Sequence, residues 1–127
     1  MPFLSSANEY NPTGWYGAMK GMAEIAGKTL VNVYGRRFIG IRIGWFTGAS
    51  EPDCLRACST LLAPVDAAQL FSLAVDYAGP EKFLITYGTS DTTYEGHTSN
   101  LDISAAKEVL GYRPEINVMS YRSRFAD

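Results

Sequence analysis

The longest apolar pattern in the chain has helical spacing and lies near its start. Asn11 and Pro12 suit a helix entry, because asparagine caps a first turn and proline in that turn loses no hydrogen bond. Gly35 stands where helices commonly close in a left-handed conformation. The pattern therefore predicts a helix over Pro12 to Tyr34. Its apolar positions run nearly all round the helix: Trp15, Met19, Met22, Ala23, Ile25, Ala26, Leu30, Val31, Val33 and Tyr34.

Two short apolar runs alternate with further helical patterns along the rest of the chain. The run from Phe38 to Phe46 is almost continuously apolar, which favours a buried parallel strand, and Lys82 to Tyr87 forms a second strand. Helical patterns cover Pro64 to Ala78 and Ile103 to Leu110. This alternation predicts an α/β fold in which the two strands are parallel neighbours. The tail after Pro114 is weakly patterned and is expected to be partly mobile.

The composition narrows the classes of protein that this pattern allows. The 127 residues are 46% hydrophobic and 19% charged, with a formal net charge of -2. This composition is typical of a globular protein and predicts a single domain over 1–127. No basic run exceeds Arg36-Arg37, so a nucleic-acid partner is not expected. The apolar stretches are too short to span a membrane, and the N-terminus lacks a signal-peptide pattern.

The cysteines and the single histidine give little material for a metal site. Cys54 and Cys58 stand four residues apart without a Cys or His pair nearby, and His97 is the only histidine. The simplest interpretation is two reduced thiols in a cytoplasmic protein without a metal centre.

Tyr16 and Lys20 are the first residues whose spacing indicates chemistry. Four residues apart, they share one face of the predicted helix. A positive charge beside a tyrosine favours its ionised form, and this makes a phenol usable as an acid or base near neutral pH. The spacing alone also occurs by chance in many helices whose tyrosine and lysine only face solvent.

The surrounding sequence resembles a known active-site helix. From Pro12 to Glu24 the chain reads P-T-G-W-Y-G-A-M-K-G-M-A-E. This is similar to the Pro-x-x-x-Tyr-Gly-x-Ser-Lys-x-x-x-Glu helix of extended short-chain dehydrogenases/reductases, the NAD-dependent epimerase/dehydratase family, and above all its uronate dehydrogenase-like group. The resemblance continues in the family's order at 41–46, 59–66 and 110–114.

The resemblance implies a Rossmann-like parallel sheet, an oxidoreductase ancestry and a set of site residues. Tyr16 would be the catalytic acid/base, and Lys20 would bind the nicotinamide ribose of NAD and lower the tyrosine's pKa. Ser6 would hydrogen-bond a substrate hydroxyl. Arg56 falls where uronate dehydrogenases place the arginine that binds the substrate carboxylate, so a sugar acid is the implied ligand.

The sequence also departs from the family's pattern. Met19 replaces the usual serine before the lysine, Ser6 lies closer to Tyr16 than in the family, and Val65 stands at a position that is often arginine. No strand followed by the Gly-x-x-Gly-x-x-Gly turn that holds the NAD pyrophosphate is found. The chain is therefore expected to be a truncated, C-terminal half of the fold, a partial Rossmann-like domain without the cofactor-binding half.

Three hypotheses about function remain at this point. The chain is an oxidoreductase relic that is inactive by itself, a non-catalytic homo-oligomeric or protein-interaction module, or one half of a site completed by another chain. A helix that is apolar on most sides needs cover on most sides, and a half-sheet cannot supply it. The sequence therefore predicts a homo-oligomer, most simply a two-fold dimer.

Overall fold

The computed structural model describes residues 11–96 and 101–125. Three α-helices and two β-strands alternate along the chain, with two short 3-10 helices between and after them. The elements are α1 (Trp15–Tyr34), β1 (Phe38–Ile43), a 3-10 turn (Ala57–Ser59), α2 (Pro64–Asp76), β2 (Phe83–Gly88), α3 (Ser104–Leu110) and a second 3-10 segment (Met119–Phe125). Within these ranges no helix is both long and apolar enough to cross a membrane.

The two strands form a parallel pair, as the sequence predicted. Phe38 lies opposite Phe83, and the register continues to Ile43 opposite Gly88. The helix α2 makes the crossover between them, so the chain has the predicted α/β fold with a partial Rossmann-like sheet.

Strand β1 ends at Ile43, whereas the apolar run predicted a strand continuing to Phe46. Packing explains the earlier end. A Cβ at Gly44 would collide with the carbonyl oxygen of Thr60, so the loop passes close against the strand at this point. Trp45 then pairs with Leu61 instead of with a further residue of β2. The end of this apolar run therefore pairs through its backbone with a returning loop instead of extending the strand, and the Trp45 and Phe46 side chains stay about half exposed.

The boundaries of α1 confirm one predicted cap and correct the other. Gly35 adopts the left-handed conformation at φ 63°, and its N–H donates to the carbonyl of Val31 at 3.0 Å. The helix begins at Trp15 rather than Pro12, because Gly14 is extended and its carbonyl accepts the first helical bond from Ala18. The proline therefore precedes the helix and does not form part of its first turn.

The sheet is covered on both faces. On one face α2 and α3 bury a core cluster made of Leu70, Ile103, Ala106, Leu110 and Tyr112. On the other face α1 approaches closely enough that a Cβ at Gly27 would lie 2.5 Å from the Phe38 ring. The Phe38 and Phe83 rings stack beneath α1, with their centroids 5.7 Å apart.

Residues 115–125 of the tail pack against the rest of the fold, which corrects the expectation of partial mobility for this part. Asp91 and Asn117 form a parallel bridge, and the Val118 N–H donates to the Asp91 carbonyl at 2.9 Å. Val118 is fully buried against Ala57 and Leu61. This segment is held mainly by backbone hydrogen bonds. Such bonds do not require apolar residues at regular spacing, so the sequence pattern could not predict the packing.

The buried Tyr112 predicts a loss of stability at alkaline pH. Removal from water raises the pKa of its phenol, and the negative charges of Asp66 and Asp91 raise it further. The unfolded chain ionises this tyrosine near its ordinary pKa of about 10, while the folded chain keeps it neutral. The contribution of this group to the free energy of unfolding is therefore constant below about pH 10. As the pH rises further, it falls by up to about 1.4 kcal/mol per pH unit.

Denaturant titrations on either side of about pH 10 measure this effect. In Tyr112→Phe the alkaline fall becomes shallower, while lost bonding to the Thr89 carbonyl costs about 1 kcal/mol at neutral pH. Tyr94→Phe, at a partly exposed tyrosine, serves as the control and keeps the parent's alkaline slope. The same slope in Tyr112→Phe as in the parent would contradict the assignment.

Candidate functional site

The direction of α1 determines where its tyrosine and lysine lie. Glu24 in the middle of α1 pairs with Arg42 near the end of β1, and Gly27 further along lies against Phe38 at the start of β1. The helix therefore runs antiparallel to the strands. Tyr16 lies eight residues before Glu24, about 12 Å along the helix axis, and so beyond the carboxyl end of β1. Ligands of open α/β sheets bind at this end of the strands.

An ion pair fixes α1 on the sheet. Arg42 Nε donates to Glu24 Oε1 at 2.8 Å, and Arg42 Nη2 donates to Oε2 at 2.9 Å. The Arg42 guanidinium also lies 5.5 Å from the centroid of the Tyr87 ring. The bond to Glu24 raises the pKa of Arg42, so the guanidinium stays charged at every accessible pH. Two parallel bonds define both the height and the rotation of α1 above β1.

Tyr16 and Lys20 occupy one exposed face of α1, as their spacing predicted. The Lys20 Nζ atom lies 5.3 Å from the centroid of the Tyr16 ring, over its face. Tyr16 is 75% exposed, so its hydroxyl is open to an incoming ligand. Met19, which replaces the serine of the family pattern, is also exposed on the neighbouring side of the helix. The ammonium and the phenol are therefore adjacent and accessible together.

The loop after β1 brings an arginine to the same end of the sheet. Two backbone hydrogen bonds hold Trp45. Its N–H donates to the Thr60 carbonyl at 2.7 Å, and its carbonyl accepts from the Leu62 N–H at 2.9 Å. The Arg56 guanidinium lies 5.6 Å from the centroid of the Trp45 ring. Among the described residues no carboxylate lies within ion-pair distance of Arg56. Its charge thus remains available to an anion.

A buried carboxylate beneath this edge ties three segments together. The fully buried Asp66, in the first turn of α2, accepts from the Ser90 hydroxyl after β2. It also accepts from the N–H groups of Glu115 at 2.6 Å and Ile116 at 3.3 Å. Ser90 in turn accepts from the N–H of Ala63 at 2.9 Å. These bonds hold the start of α2 against the loop that follows β2.

The remaining predicted residues divide into those that the structure places and those that it does not. Ser6 lies outside the described residues, as does His97. Val65 is partly exposed at the start of α2.

Cys54 and Cys58 carry free thiols and stand two residues before and after Arg56 in the sequence. Burial raises the pKa of the Cys58 thiol. Within 11–96 and 101–125, no three acidic, cysteine or histidine side chains form a group suited to a metal ion.

Three contributors to the site were not assigned from the sequence. Glu24 was recognised only as part of the motif, and Arg42 is the one charged residue in an otherwise apolar strand. A charge inside a buried strand is itself a signal, because it needs a partner on the covering element. Trp45, whose ring lies near the Arg56 guanidinium, had no comparable signal, because nothing distinguished it from the other apolar residues of its run.

The described residues fit one part of NAD and not another. Tyr16 and Lys20 offer a hydroxyl and an ammonium, which suit the ribose next to the nicotinamide ring. The pyrophosphate needs backbone N–H groups in a Gly-rich turn between a strand and a helix. The described part of the chain has no such turn, because Gly14, Gly17 and Gly21 lie at or within α1 and follow no described strand.

Comparison with solved structures finds the same fold in parts of two dehydrogenases. No protein-family model matches the sequence, and curated protein sequences give no significant match. The crystal structure of uronate dehydrogenase from Agrobacterium tumefaciens superposes with a TM-score of 0.80 at 24% identity over 97% of this chain. A tyrosine-to-alanine mutant of that enzyme complexed with NAD gives 0.80 at 23% identity. Glucuronic acid dehydrogenase from Chromohalobacter salexigens gives 0.76 at 21% identity over 98% of this chain.

The match covers far less of those proteins than of this chain. It spans 43% of the Agrobacterium chain and 44% of the Chromohalobacter chain. At these identities the likeness concerns the fold. The fold that the sequence resemblance implied is therefore confirmed: this chain has the architecture of somewhat less than half of a uronate dehydrogenase.

Proposed function

We propose that this chain carries the proton-transfer and carboxylate-binding part of a uronate dehydrogenase-type site and does not turn over by itself. The observation that carries the proposal is the placement of Tyr16, Lys20 and Arg56 at one end of the sheet. These are the residues for which the sequence resemblance implies catalytic and substrate-binding roles. The superposition on two solved dehydrogenases of sugar acids supports the same assignment.

Each residue has a role that its surroundings permit. In its ionised form, the exposed phenol oxygen of Tyr16 accepts the proton of a substrate hydroxyl and becomes a neutral phenol, and Lys20 binds the ribose of the cofactor beside it. The guanidinium of Arg56 binds the sugar carboxylate through two parallel hydrogen bonds. The Trp45 ring lies 5.6 Å from the Arg56 guanidinium, within the range of a cation–π contact.

Binding of a sugar acid and hydride transfer make separate demands on the chain. NAD supplies the hydride acceptor when it is bound. The described residues fit its ribose but not its pyrophosphate, so no hydride step is assigned to this chain alone. Recognition of the carboxylate depends on Arg56 and Trp45, which need no dinucleotide for their placement.

Calorimetric titration with glucuronate tests the proposal. Saturable binding is expected, with glucose binding much more weakly because it lacks the carboxylate. Arg56→Gln should weaken glucuronate binding by about tenfold or more, the value of one charge-assisted hydrogen-bonded pair. Arg36→Gln, at an exposed arginine beyond the opposite end of α1, is the matched control and leaves binding unchanged.

Turnover is measured in parallel by NADH formation from glucuronate and NAD. No rate above the background is expected from the 127-residue chain. Equal binding of glucose and glucuronate, or binding that survives Arg56→Gln, would show that the carboxylate site is wrongly assigned. Turnover that disappears in Tyr16→Phe would show that the chain is a complete enzyme and that the inactive part of the proposal is wrong.

A second candidate function is an interaction module without catalysis, in which Tyr16 and Lys20 only face solvent. The observation that favours it is the exposure of many large apolar side chains on α1: Trp15, Met19, Met22, Ile25, Leu30, Val33 and Tyr34. Monomeric proteins rarely leave so large a contiguous apolar surface in water.

A further inference from the structure

The two cysteines lie in one short turn of the loop after β1. Cys54 is exposed, whereas Cys58 belongs to the 3-10 turn and is fully buried. The Cys58 thiol donates to the Cys54 carbonyl, with 3.6 Å between the sulfur and the oxygen. Standard covalent geometry then puts the Cys58 sulfur within about 6 Å of the Cys54 α-carbon. The buried thiol therefore points toward the backbone of the exposed cysteine.

This contact brings the pair close to the geometry of a disulfide. A disulfide needs its sulfurs about 2.05 Å apart and its β-carbons about 3.8 Å apart. The Cys58 sulfur already touches the Cys54 backbone. Bond formation therefore requires rotation of the Cys54 side chain and a small movement of the backbone that carries it.

The two halves of the turn differ in how firmly they are held. Cys58 follows Ala57, which packs in a buried cluster with Leu61 and Val118. By contrast, residues 53–56 form an exposed arc before this cluster. The cysteine on the arc can therefore move toward a partner whose position is fixed by the core.

Burial also sets the order in which the two thiols react. It raises the pKa of the Cys58 thiol and keeps this thiol from reagents in solution. Cys54 is open to solvent, so an oxidant meets it first. Cys58 is then placed to attack the oxidised sulfur from within the fold. An accessible cysteine next to a second, resolving cysteine is a common arrangement in redox sensors.

We propose that Cys54 and Cys58 form a reversible disulfide around Arg56, with a low-molecular-weight disulfide such as oxidised glutathione as the oxidant. The Cys54 thiolate attacks one sulfur of that disulfide, which releases one small thiol and leaves a mixed disulfide on Cys54. The Cys58 thiol then loses its proton, and its sulfur bonds to the Cys54 sulfur and displaces the second small thiol. The two released thiols take up the two electrons and the two protons that the cysteines lose.

The disulfide would enclose the arginine of the candidate site. Its ring contains Leu55, Arg56 and Ala57, and closing a short ring restricts rotation of the backbone within it. The Arg56 carbonyl already accepts from the Ser59 N–H at 3.2 Å and from the Thr60 hydroxyl at 3.0 Å. The ring therefore restrains mainly the segment that leads into Arg56. The inference goes beyond the proposed function and holds whether or not the chain binds a sugar acid.

Mass spectrometry after incubation with mixtures of oxidised and reduced glutathione tests the proposal. Trypsin cuts after Arg56, which lies between the two cysteines, so a disulfide keeps peptides 43–56 and 57–82 joined. In an excess of oxidised glutathione, followed by acid quenching and alkylation, the parent chain is expected to lose both alkylatable thiols and to yield the joined peptides. A non-reducing gel shows that the bond lies within one chain. An excess of reduced glutathione is expected to restore both thiols.

Two single substitutions separate the roles of the thiols. Cys58→Ser is expected to stop at the mixed disulfide on Cys54, because no second thiol displaces the glutathione. Cys54→Ser is expected to leave Cys58 reduced and unmodified, because this thiol is buried. Circular dichroism verifies the fold of both variants and of the oxidised parent, and Cys58→Ala serves instead if the buried serine prevents folding.

Nitrogen-15 relaxation measures the restraint on the arginine. Higher order parameters are expected at Leu55 and Arg56 in the oxidised chain than in the reduced chain. Equal order parameters in the two forms would overturn the restraint. A parent chain that stays reduced or stops at the mixed disulfide in excess oxidised glutathione overturns the proposal as a whole. So does a disulfide that forms only between chains, and so does a closure that unfolds the protein.

Discussion

Replacing Glu24 with alanine is expected to lower the free energy of unfolding by about 3 kcal/mol. The side chain of Arg42 is only 22% exposed, and without Glu24 its charge loses both short hydrogen bonds. A buried guanidinium left without its carboxylate is costly to desolvate. Thermal or denaturant unfolding measures the loss directly.

Two further variants separate the pair's energy from general effects of substitution. Glu51 forms an equally short bond to Arg124 at 2.7 Å, but both side chains are more than half exposed. Glu51→Ala should therefore change stability by less than about 1 kcal/mol. The double variant Glu24→Leu with Arg42→Leu should recover much of the loss, because apolar residues of similar size often replace a buried pair well. A loss in Glu24→Ala no larger than in Glu51→Ala would contradict the role assigned to the pair.

Replacing Asp66 with alanine is expected to cost about 4 kcal/mol, since the donors it leaves unpaired cost about 1–3 kcal/mol each. Its carboxylate accepts from the Ser90 hydroxyl and from the N–H groups of Glu115 and Ile116. Domains have total stabilities of about 5–15 kcal/mol, so this variant loses a large fraction of its stability.

Denaturant titration gives the size of the Asp66 effect, and amide exchange gives its location. The N–H groups of Glu115 and Ile116 should lose protection first in Asp66→Ala. Asp76→Ala, at an exposed aspartate at the end of α2, is the control and should change stability by about 0.5 kcal/mol or less. Unchanged exchange at Glu115 and Ile116 would show that the carboxylate does not hold this segment.

The sequence predicted the elements better than their ends. Apolar runs and helical spacing identified both strands, their parallel pairing and all three α-helices, because periodicity reflects which face each element buries. The ends depended on backbone details that residue types do not specify. Gly14 is extended, so α1 begins after Pro12, and the close approach of Thr60 to Gly44 ends β1 before the apolar run ends.

The site was predictable where it depended on local spacing and hidden where it depended on distant contacts. Tyr16 and Lys20 share a helix face because they are four residues apart. The partners of Asp66 lie 24 to 50 residues away in sequence, so no local pattern could identify them. Arg42 lies between these cases. Its charge in an apolar strand indicates a partner, and only the antiparallel packing of α1 shows that the partner is Glu24.

The pairing of Trp45 with Leu61 has an evolutionary consequence. Trp45 and Leu61 pair through their backbones, so residues 46–60 form a loop, or excursion, whose two ends are held together. Loops closed in this way tolerate insertion at their exposed positions, because length added between fixed ends costs little free energy. In this loop the buried Ala57 and Cys58 are exceptions. The excursion carries Arg56. Mutation can therefore reshape the surface around this arginine, and with it the choice of ligand, while the register of β1 and β2 stays the same.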